Sequence, residues 1–373
     1  MGVDLTMGHP IRILHVVTYM GRGGLETMIM NYYRHIDRSK VQFDFLVHRE
    51  FRADYDDEIE TLGGRIFRLP RLVPWSKSYL TALEQFFQEH LEYKIVHVHQ
   101  DCLSSVILKV AYKCGVPVRI AHSHNSSQDK NFKYLIKLFY KKQIPAYATH
   151  LFACGKEAGD WMFNGATFRV LNNAIDTKQY ALDSECRFRI RKSLQIPEDA
   201  FVIGHVGRFH AVKNHSFLLD VFAEVKERHE KVVLLLVGDG DLRLEMEKKA
   251  ELLGIASSVI FTGIRSDVPD LMQTMDCFVF PSLYEGIPVT MIEAQASGLP
   301  CVVSDGVPVE CDKTGLVKHI PLSGGVELWA EEILQTRSIS RYNTREQIIQ
   351  AGYDIEANAQ WLQNFYLEQW KEP

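Results

Sequence analysis

Two carboxylates and two cations are spaced as if for chemistry. Glu285 and Glu293 stand with seven residues between them in Glu-Gly-Ile-Pro-Val-Thr-Met-Ile-Glu. The first falls in a loop, loosened by Gly286, after the apolar run Cys277–Phe280. The second falls one turn into a helix expected to begin at Pro288, where a missing N–H costs nothing, and to stop at Gly298. The free amides of Val289, Thr290 and Met291 would form an anion site at that helix start. An ionised carboxylate accepts hydrogen bonds and donates none, so beside a phosphate it is repelled unless it grips hydroxyls. A nucleotide-sugar has hydroxyls on both sides of a diphosphate. Glu285 could hold its sugar and Glu293 its ribose; the plainer alternative is two solvated acids. Arg208 and Lys213, in Gly-Arg-Phe-His-Ala-Val-Lys-Asn, leave one strand end together. A planar guanidinium fork and a mobile ammonium suit the oxygens of a leaving diphosphate, although an ordinary surface pair is the alternative.

Histidines form a third group. Ala121-His122-Ser123-His124-Asn125 follows an expected strand Pro117–Ala121, and His97 and His99 share one strand face by their i, i+2 spacing. Such groups can donate to a sugar or a developing charge, or can simply cap a strand end. The two His-x-His pairs raise zinc, but no third-ligand pattern accompanies them, and no metal is expected. Asp239-Gly240-Asp241 is a D-x-D whose flanking glycines read as a strand-to-helix turn rather than a cation site.

These residues need elements to position them. Strands alternate with helices from Ile11 to Ile320, which implies parallel sheets covered on both faces, with ligands at the carboxyl ends of the strands. Thr18–Gly24 is a glycine-rich loop before a helix with apolar residues at 25, 28, 29, 32, 33 and 36. Neither it nor Gly238-Asp239-Gly240 is a dinucleotide fingerprint, because Glu26 and Arg243 occupy the third glycine positions. Thr177–Pro197 reads as a polar connection between domains. The expected organisation is residues 1–180, residues 181–350, and a terminal segment 351–373 whose helix has one apolar face.

Totals bound the classes. A length of 373 residues suggests two α/β domains, and a net charge of −5 gives no support to a nucleic-acid surface. No run of about eighteen apolar residues is present, so no transmembrane helix is expected. Met1–Pro10 reads as an unstructured leader. Seven scattered cysteines without a C-x-x-C suggest reduced thiols and a cytoplasmic protein. Residues 131–142 form a basic amphipathic helix, with Lys133, Lys137 and Lys141 on one face and Phe132, Leu135, Ile136, Phe139 and Tyr140 largely opposite. It reads either as a peripheral contact with the inner face of the cell membrane or as a packed helix with a solvated lysine face.

The Glu285–Glu293 stretch, with Ala-Gln-Ala-Ser-Gly-Leu-Pro-Cys-Val-Val after it, resembles the E-x7-E signature of the family 4 retaining glycosyltransferases. The Gly207–Asn214 segment resembles that family's G-R-x-x-x-x-K-N, and Asn172-Asn-Ala-Ile-Asp176 its N-G-V-D turn with Ala174 in place of glycine. The resemblance covers nearly the whole chain. It implies the GT-B fold, two Rossmann-like domains facing across a cleft, with a terminal helix that crosses back to the first domain. It implies a nucleotide-sugar, UDP-sugar favoured, as co-substrate, no cofactor, and a saccharide or lipid-linked acceptor in surface polysaccharide biosynthesis. By residue, it implies Gly23 and Gly24 near acceptor and donor phosphates, Arg208 and Lys213 on the diphosphate, and Ile264 at the base. It also implies Glu285 and Gly286 at the sugar, Val289 and Thr290 at the phosphate, and Glu293 at the ribose. The histidine directly after the strand, His122 or else His124, would sit with Asn125 beside the reacting carbon. The family's path is a front-face displacement in which the leaving phosphate takes the acceptor's proton. A nucleotide-sugar epimerase, an NAD-dependent dehydrogenase and a non-catalytic sugar-binding relative are the alternatives.

Overall fold

The computed structural model describes residues 9–125 and 134–371. The chain divides into two compact units. One takes the residues up to Ala174 together with those from Ile355 onward; the other is Ile175–Asp354. The boundaries thus fall a few residues from the expected 180/181 and 350/351.

The first unit holds a seven-stranded parallel sheet in the order β3-β2-β1-β4-β5-β6-β7. Its strands are β1 Ile11–Val16, β2 Val41–Val47, β3 Ile66–Arg68, β4 Ile95–Val98, β5 Val118–Ser123, β6 His150–Ala153 and β7 Arg169–Val170. Short β-rich runs separated by helices can form only such crossovers. One face of the sheet is covered by Met28, Ile29, Tyr32 and Tyr33 of the helix Gly24–His35 and by Ile355, Ala359, Leu362 and Tyr366 of the helix Ile355–Lys371. The other is covered by the helices Lys77–Glu89 and Ser104–Lys113 through Leu83, Phe87, Ile107 and Ala111.

The second unit repeats the plan with six parallel strands in the order β10-β9-β8-β11-β12-β13. These are β8 Phe201–Val206, β9 Val232–Val237, β10 Val259–Phe261, β11 Cys277–Phe280, β12 Cys301–Ser304 and β13 Val317–Ile320. The expected connection Thr177–Pro197 proves to be part of this unit. It contains the helix Ser184–Ser193, capped by Asp183, whose side chain accepts from the amides of Glu185 and Cys186. Its polarity has a structural use: Arg187 and Arg191 reach Asp276 at 2.6 and 2.7 Å and bind the carbonyl of Thr274, which pins the helix to the entry of β11. Among the described residues no helix is long and apolar enough to cross a membrane.

The basic helix departs from expectation. Phe132 and Lys133 lie outside the described residues, and the helix is seen as Tyr134–Lys141. Lys141 does not share a solvated face. It is 7 % exposed, donates to the carbonyl of Trp161 and lies 4.4 Å from that indole ring. The surface instead shows Leu135, 75 % exposed, with Phe139 at 63 % and Ile136 beside them.

Candidate active site

In the second unit the chemistry gathers at the carboxyl edge of the sheet. After β8 the chain turns through Gly207 and Arg208 into a short 3-10 turn, Ala211–Lys213, then through left-handed Asn214 into the helix His215–Arg228. The loop after β11 meets this turn where the Leu283 amide donates to the Val212 carbonyl at 2.8 Å. The Glu285 amide donates to Gly306 at 2.9 Å, which fixes the backbone of the acid. Lys213 Nζ then sits 2.6 Å from Glu285 Oε1 and 4.6 Å from the Phe280 ring. So two residues separated by 72 positions are held as one half-buried pair. Arg208, 69 % exposed on its side chain, has Asp241 as its ion-pair partner among the described residues, at 3.7 Å.

The helix after this loop runs Val289–Ala296 with Pro288 at its cap and no side-chain cap. The Met291 amide turns back to the Pro288 carbonyl at 3.1 Å, so the expected trio of free amides is reduced to Val289 and Thr290. These two point their N–H groups out of a helix start beside Glu285, an arrangement that favours an anion. Glu293 lies one turn further and accepts from the Tyr180 hydroxyl at 2.7 Å. Burial raises its pKa above the usual carboxyl value, and the Tyr180 hydrogen bond opposes that shift. Tyr180 was hidden inside the supposed linker; only its isolated aromatic hydroxyl near a domain boundary could have marked it.

The glycines of Gly238-Asp239-Gly240 are explained by contact. Gly238 has φ 137°, and a Cβ there would lie 2.1 Å from the Gly207 carbonyl oxygen; one on Gly240 would lie 2.5 Å from that of Phe209. The turn therefore braces the Arg208 loop. Asp239 accepts from the Gly240 amide at 2.7 Å and from Arg243 at 3.1 Å, so its carboxylate already has a cation. Ile264 is exposed in the loop after β10, next to Gly263, whose carbonyl receives the Gly238 amide at 2.9 Å.

In the first unit Gly23 caps the helix Gly24–His35, and Gly24 has open space where a side chain would stand. The amides of Gly23 and Glu26 are engaged by the Glu26 carboxylate, whose pKa is raised by burial. This helix start therefore differs from that at Val289 and Thr290, whose amides have no partner among the described residues. At the other expected site, β5 runs two residues beyond Ala121. His122 is inside the strand and buried, and the first residue after the strand is His124. The strand end expected at Ala121 is thus corrected to Ser123, and the histidine directly after it is His124. Asn125 donates to both oxygens of Asp101 at 3.0 Å, and Asp101 takes up left-handed φ 45°.

Sequence reasoning also missed that His15 of β1 joins these histidines. His15 Nδ1 is 3.1 Å from His99 Nε2, and His99 Nδ1 is 2.9 Å from His124 Nε2. His97 Nε2 is 3.1 Å from His122 Nδ1, and His97 Nδ1 is 2.7 Å from the Tyr366 hydroxyl. Burial pushes the pKa of His15 and His124 down to about 3, and that of His97, His99 and His122 well below the ordinary value, with help from the neighbouring imidazoles. All five are neutral at pH 7. Two trios, His15/His97/His99 and His99/His122/His124, have ligand atoms within 4.8 Å of one another, as a shared metal would need. The missing signal was strand order: β1, β4 and β5 are neighbours, so histidines at their ends converge.

Comparison with known proteins follows this division. Residues 187–353 match the model described as glycosyl transferases group 1, and residues 22–179 match that of glycosyltransferase family 4. A Bacillus subtilis (strain 168) protein designated EpsF is 40% identical over 368 residues, covering 95% of this chain and 96% of that one. The UDP-Gal:alpha-D-GlcNAc-diphosphoundecaprenol alpha-1,3-galactosyltransferase of Escherichia coli is 27% identical over 225 residues, covering 57% of this chain and 58% of its own. The crystal structure of Anabaena HepE in complex with UDP-glucose superposes with a TM-score of 0.75 at 18% identity, covering 96% of this chain and 99% of that one. The two Rossmann-like parallel-sheet units and these matches agree: the chain belongs to the family 4 glycosyltransferases and has their GT-B fold.

Proposed function

We propose that the protein is a retaining glycosyltransferase that moves a hexose from a nucleotide-sugar, with UDP-sugar favoured, to a saccharide or lipid-linked acceptor in surface polysaccharide biosynthesis, without a metal. The observation that carries this reading is the Lys213–Glu285 pair, 2.6 Å apart, a few residues before a helix start where the amides of Val289 and Thr290 have no partner among the described residues. A cation and two amide dipoles suit a departing diphosphate, and the acid next to them suits sugar hydroxyls. Arg208 adds the second cation. Glu293, steadied by Tyr180, takes the ribose, and Ile264 lies at the base. In the first unit His124, with Asn125, takes the acceptor side in place of His122, and Gly24 leaves room for a ligand. The bond between the anomeric carbon and the phosphate oxygen breaks while the acceptor oxygen bonds to the same face, and the acceptor's proton passes to the phosphate. Arg208, Lys213 and the amides do the work of a divalent cation.

The donor reading is supported by the UDP-glucose held by HepE and the UDP-Gal named for the Escherichia coli relative. That relative's diphosphoundecaprenol acceptor supports a lipid-linked acceptor, and a capsular polysaccharide glycosyltransferase of Staphylococcus aureus, 24% identical over 297 residues, supports the pathway class. Exposed Leu135, Ile136 and Phe139 support peripheral seating on the cytoplasmic face of the membrane. Calorimetry with UDP and GDP, followed by transfer assays in excess EDTA with NMR of the product's anomeric proton, tests the proposal. Binding of UDP, EDTA-resistant transfer and a retained configuration are expected. Inversion, or loss of transfer on chelation, overturns it.

A further inference from the structure

Two buried imidazoles lie under the Arg208–Lys213 turn, and the reaction as proposed uses neither. His205, in β8, is fully buried, and its Nδ1 is 2.9 Å from the Val279 carbonyl oxygen. A carbonyl has no proton to give, so Nδ1 carries the N–H and donates. Burial pushes the His205 pKa down to about 4, with the Lys213 charge adding to the shift and the Val279 bond opposing it. The ring is therefore neutral at pH 7, and Nε2 is left as a bare lone pair. It has no hydrogen-bond partner among the described residues. His215, edge-on at 4.6 Å, does not supply one: both its nitrogens are unpartnered in the same sense, and burial holds its pKa down to about 2. A buried acceptor left unpaired lowers stability, so it asks for a partner in some other state of the site.

Lys213 is the donor at hand. A Cβ on Gly207 would lie 2.9 Å from His205 Nε2 and 3.6 Å from both Cγ and Cδ of Lys213. The missing side chain thus leaves a gap bordered by the lone pair and by the lysine stem. The Phe280 ring touches both partners: it stacks on His205 at 5.3 Å and lies 4.6 Å from Lys213 Nζ. Nζ itself is held 2.6 Å from Glu285 Oε1. An ammonium has three donors and no acceptor. When a diphosphate draws it and a sugar claims Glu285, one of those N–H groups loses its acceptor in a half-buried place.

We propose that His205 Nε2 is the second seat of the Lys213 ammonium: once a diphosphate binds, Lys213 leaves Glu285 and donates to His205, which frees Glu285 for the sugar. His205 is then a positioning residue that acts on the diphosphate through Lys213. The proton stays on the ammonium, and only the hydrogen bond moves. A neutral acceptor suits this seat better than a carboxylate would. Glu285 cancels the lysine charge, whereas His205 orients the ammonium and leaves its full charge to the phosphates. The proposal rests on the glycosyltransferase reading only for what draws the ammonium away.

Long-range nitrogen–proton NMR of the full chain labelled with ¹⁵N-histidine reads the seat directly, with His205 assigned by substitution. Before nucleotide is added, Nδ1 should be protonated and Nε2 bare; the opposite tautomer overturns the proposal. The Nε2 resonance should move to lower frequency when UDP saturates the protein. It should move likewise in Glu285→Ala without nucleotide, where the ammonium has lost its carboxylate. A stationary Nε2 in either case overturns the proposal. Calorimetry with UDP separates the seat from mere packing. His205→Asn keeps an amide N–H for Val279 but removes Nε2, and should weaken UDP roughly tenfold, the size of one hydrogen bond to a charged group. His205→Gln carries an oxygen to where Nε2 stood and should bind UDP within about threefold of wild type. The reverse ranking would mark His205 as a residue held only for its Val279 bond, and overturns the seat. In a Lys213→Ala background His205→Asn should weaken UDP no further; an undiminished loss there overturns it as well. The two readings fail separately. Absence of UDP binding defeats the function while Glu285→Ala still decides the seat, and UDP binding with a stationary Nε2 defeats the seat alone.

Discussion

Lys213 and Glu285 neutralise each other at 2.6 Å, so an incoming diphosphate must compete with Glu285 for the ammonium. Glu285→Gln removes the competitor and keeps the shape. UDP should bind at least as tightly by calorimetry, while transfer falls because the sugar loses its anionic acceptor; weaker UDP binding would refute the competition. Lys213→Ala or Arg208→Ala should lose about 10²–10³ in kcat with the fold intact, the cost of one missing donor to a developing oxyanion. Tyr180→Phe tests the ribose acid. A hydrogen bond to a charged group contributes roughly 1.5–3 kcal/mol, and this one stabilises the ionised form of Glu293. Its loss raises an already raised pKa, so the acid limb of UDP binding should move to higher pH. Because the folded protein holds the Glu293 proton more tightly than the unfolded chain does, this group's stabilising contribution falls as pH rises from the ordinary 4.5 through the raised value. An unmoved limb in Tyr180→Phe would remove Tyr180 from the site. Glu285, Glu293, Arg208 and Lys213 were legible because their spacing is local. Tyr180 was not, since it reaches Glu293 across 113 positions.

Strand and helix limits follow pairing as much as composition. Ala121-His122-Ser123 has little strand preference, yet β5 continues through it because His122 and Ser123 pair with Phe152 and Ala153 of β6. Two extra residues turn His122 into the sheet and leave His124 as the first residue after the strand, a change no local rule could supply. The alternation of strands and helices was readable because each buried parallel strand is a short apolar run. The direction of Lys141 was not, since Trp161 lies 20 positions away and reclaims a lysine that helical spacing assigned to solvent. The G-x-G turn gives a test at this scale. Gly238→Ala combines φ 137° with a Cβ 2.1 Å from the Gly207 oxygen. Strain of roughly 1–3 kcal/mol from the backbone alone should appear as a lower urea midpoint. UDP affinity should fall with it, because the displaced carbonyl belongs to the Arg208 loop. An unaffected midpoint would show that the turn does not brace that loop.

The two units close their cores differently. The first is discontinuous: Ile355, Ala359, Leu362 and Tyr366 of the last helix fill the same core as Ile13, Tyr32 and Phe43. The second is one continuous stretch, Ile175–Asp354, with its own six-stranded sheet, its own buried cores and the ends of its chain joined where the Ile175 amide meets the Tyr353 carbonyl at 2.9 Å. Thr177 Oγ1 donating to Asp354 at 2.7 Å ties the same ends again. Such a unit has what independent folding requires. It also contains Tyr180, Arg208, Lys213, Ile264, Glu285, Gly286, Val289, Thr290 and Glu293, the residues proposed for the nucleotide-sugar apart from Gly23 and Gly24 of the first unit. Residues 175–354 expressed alone should therefore unfold cooperatively in urea and bind UDP within about tenfold of the full chain, while transferring no sugar. The complementary truncation after Asp354 should expose the first core and lose solubility, because a helix that buries four core side chains is missing. If the isolated second unit folds yet does not bind UDP, the nucleotide is not held by these residues alone, and the division of labour between the two sheets is wrong.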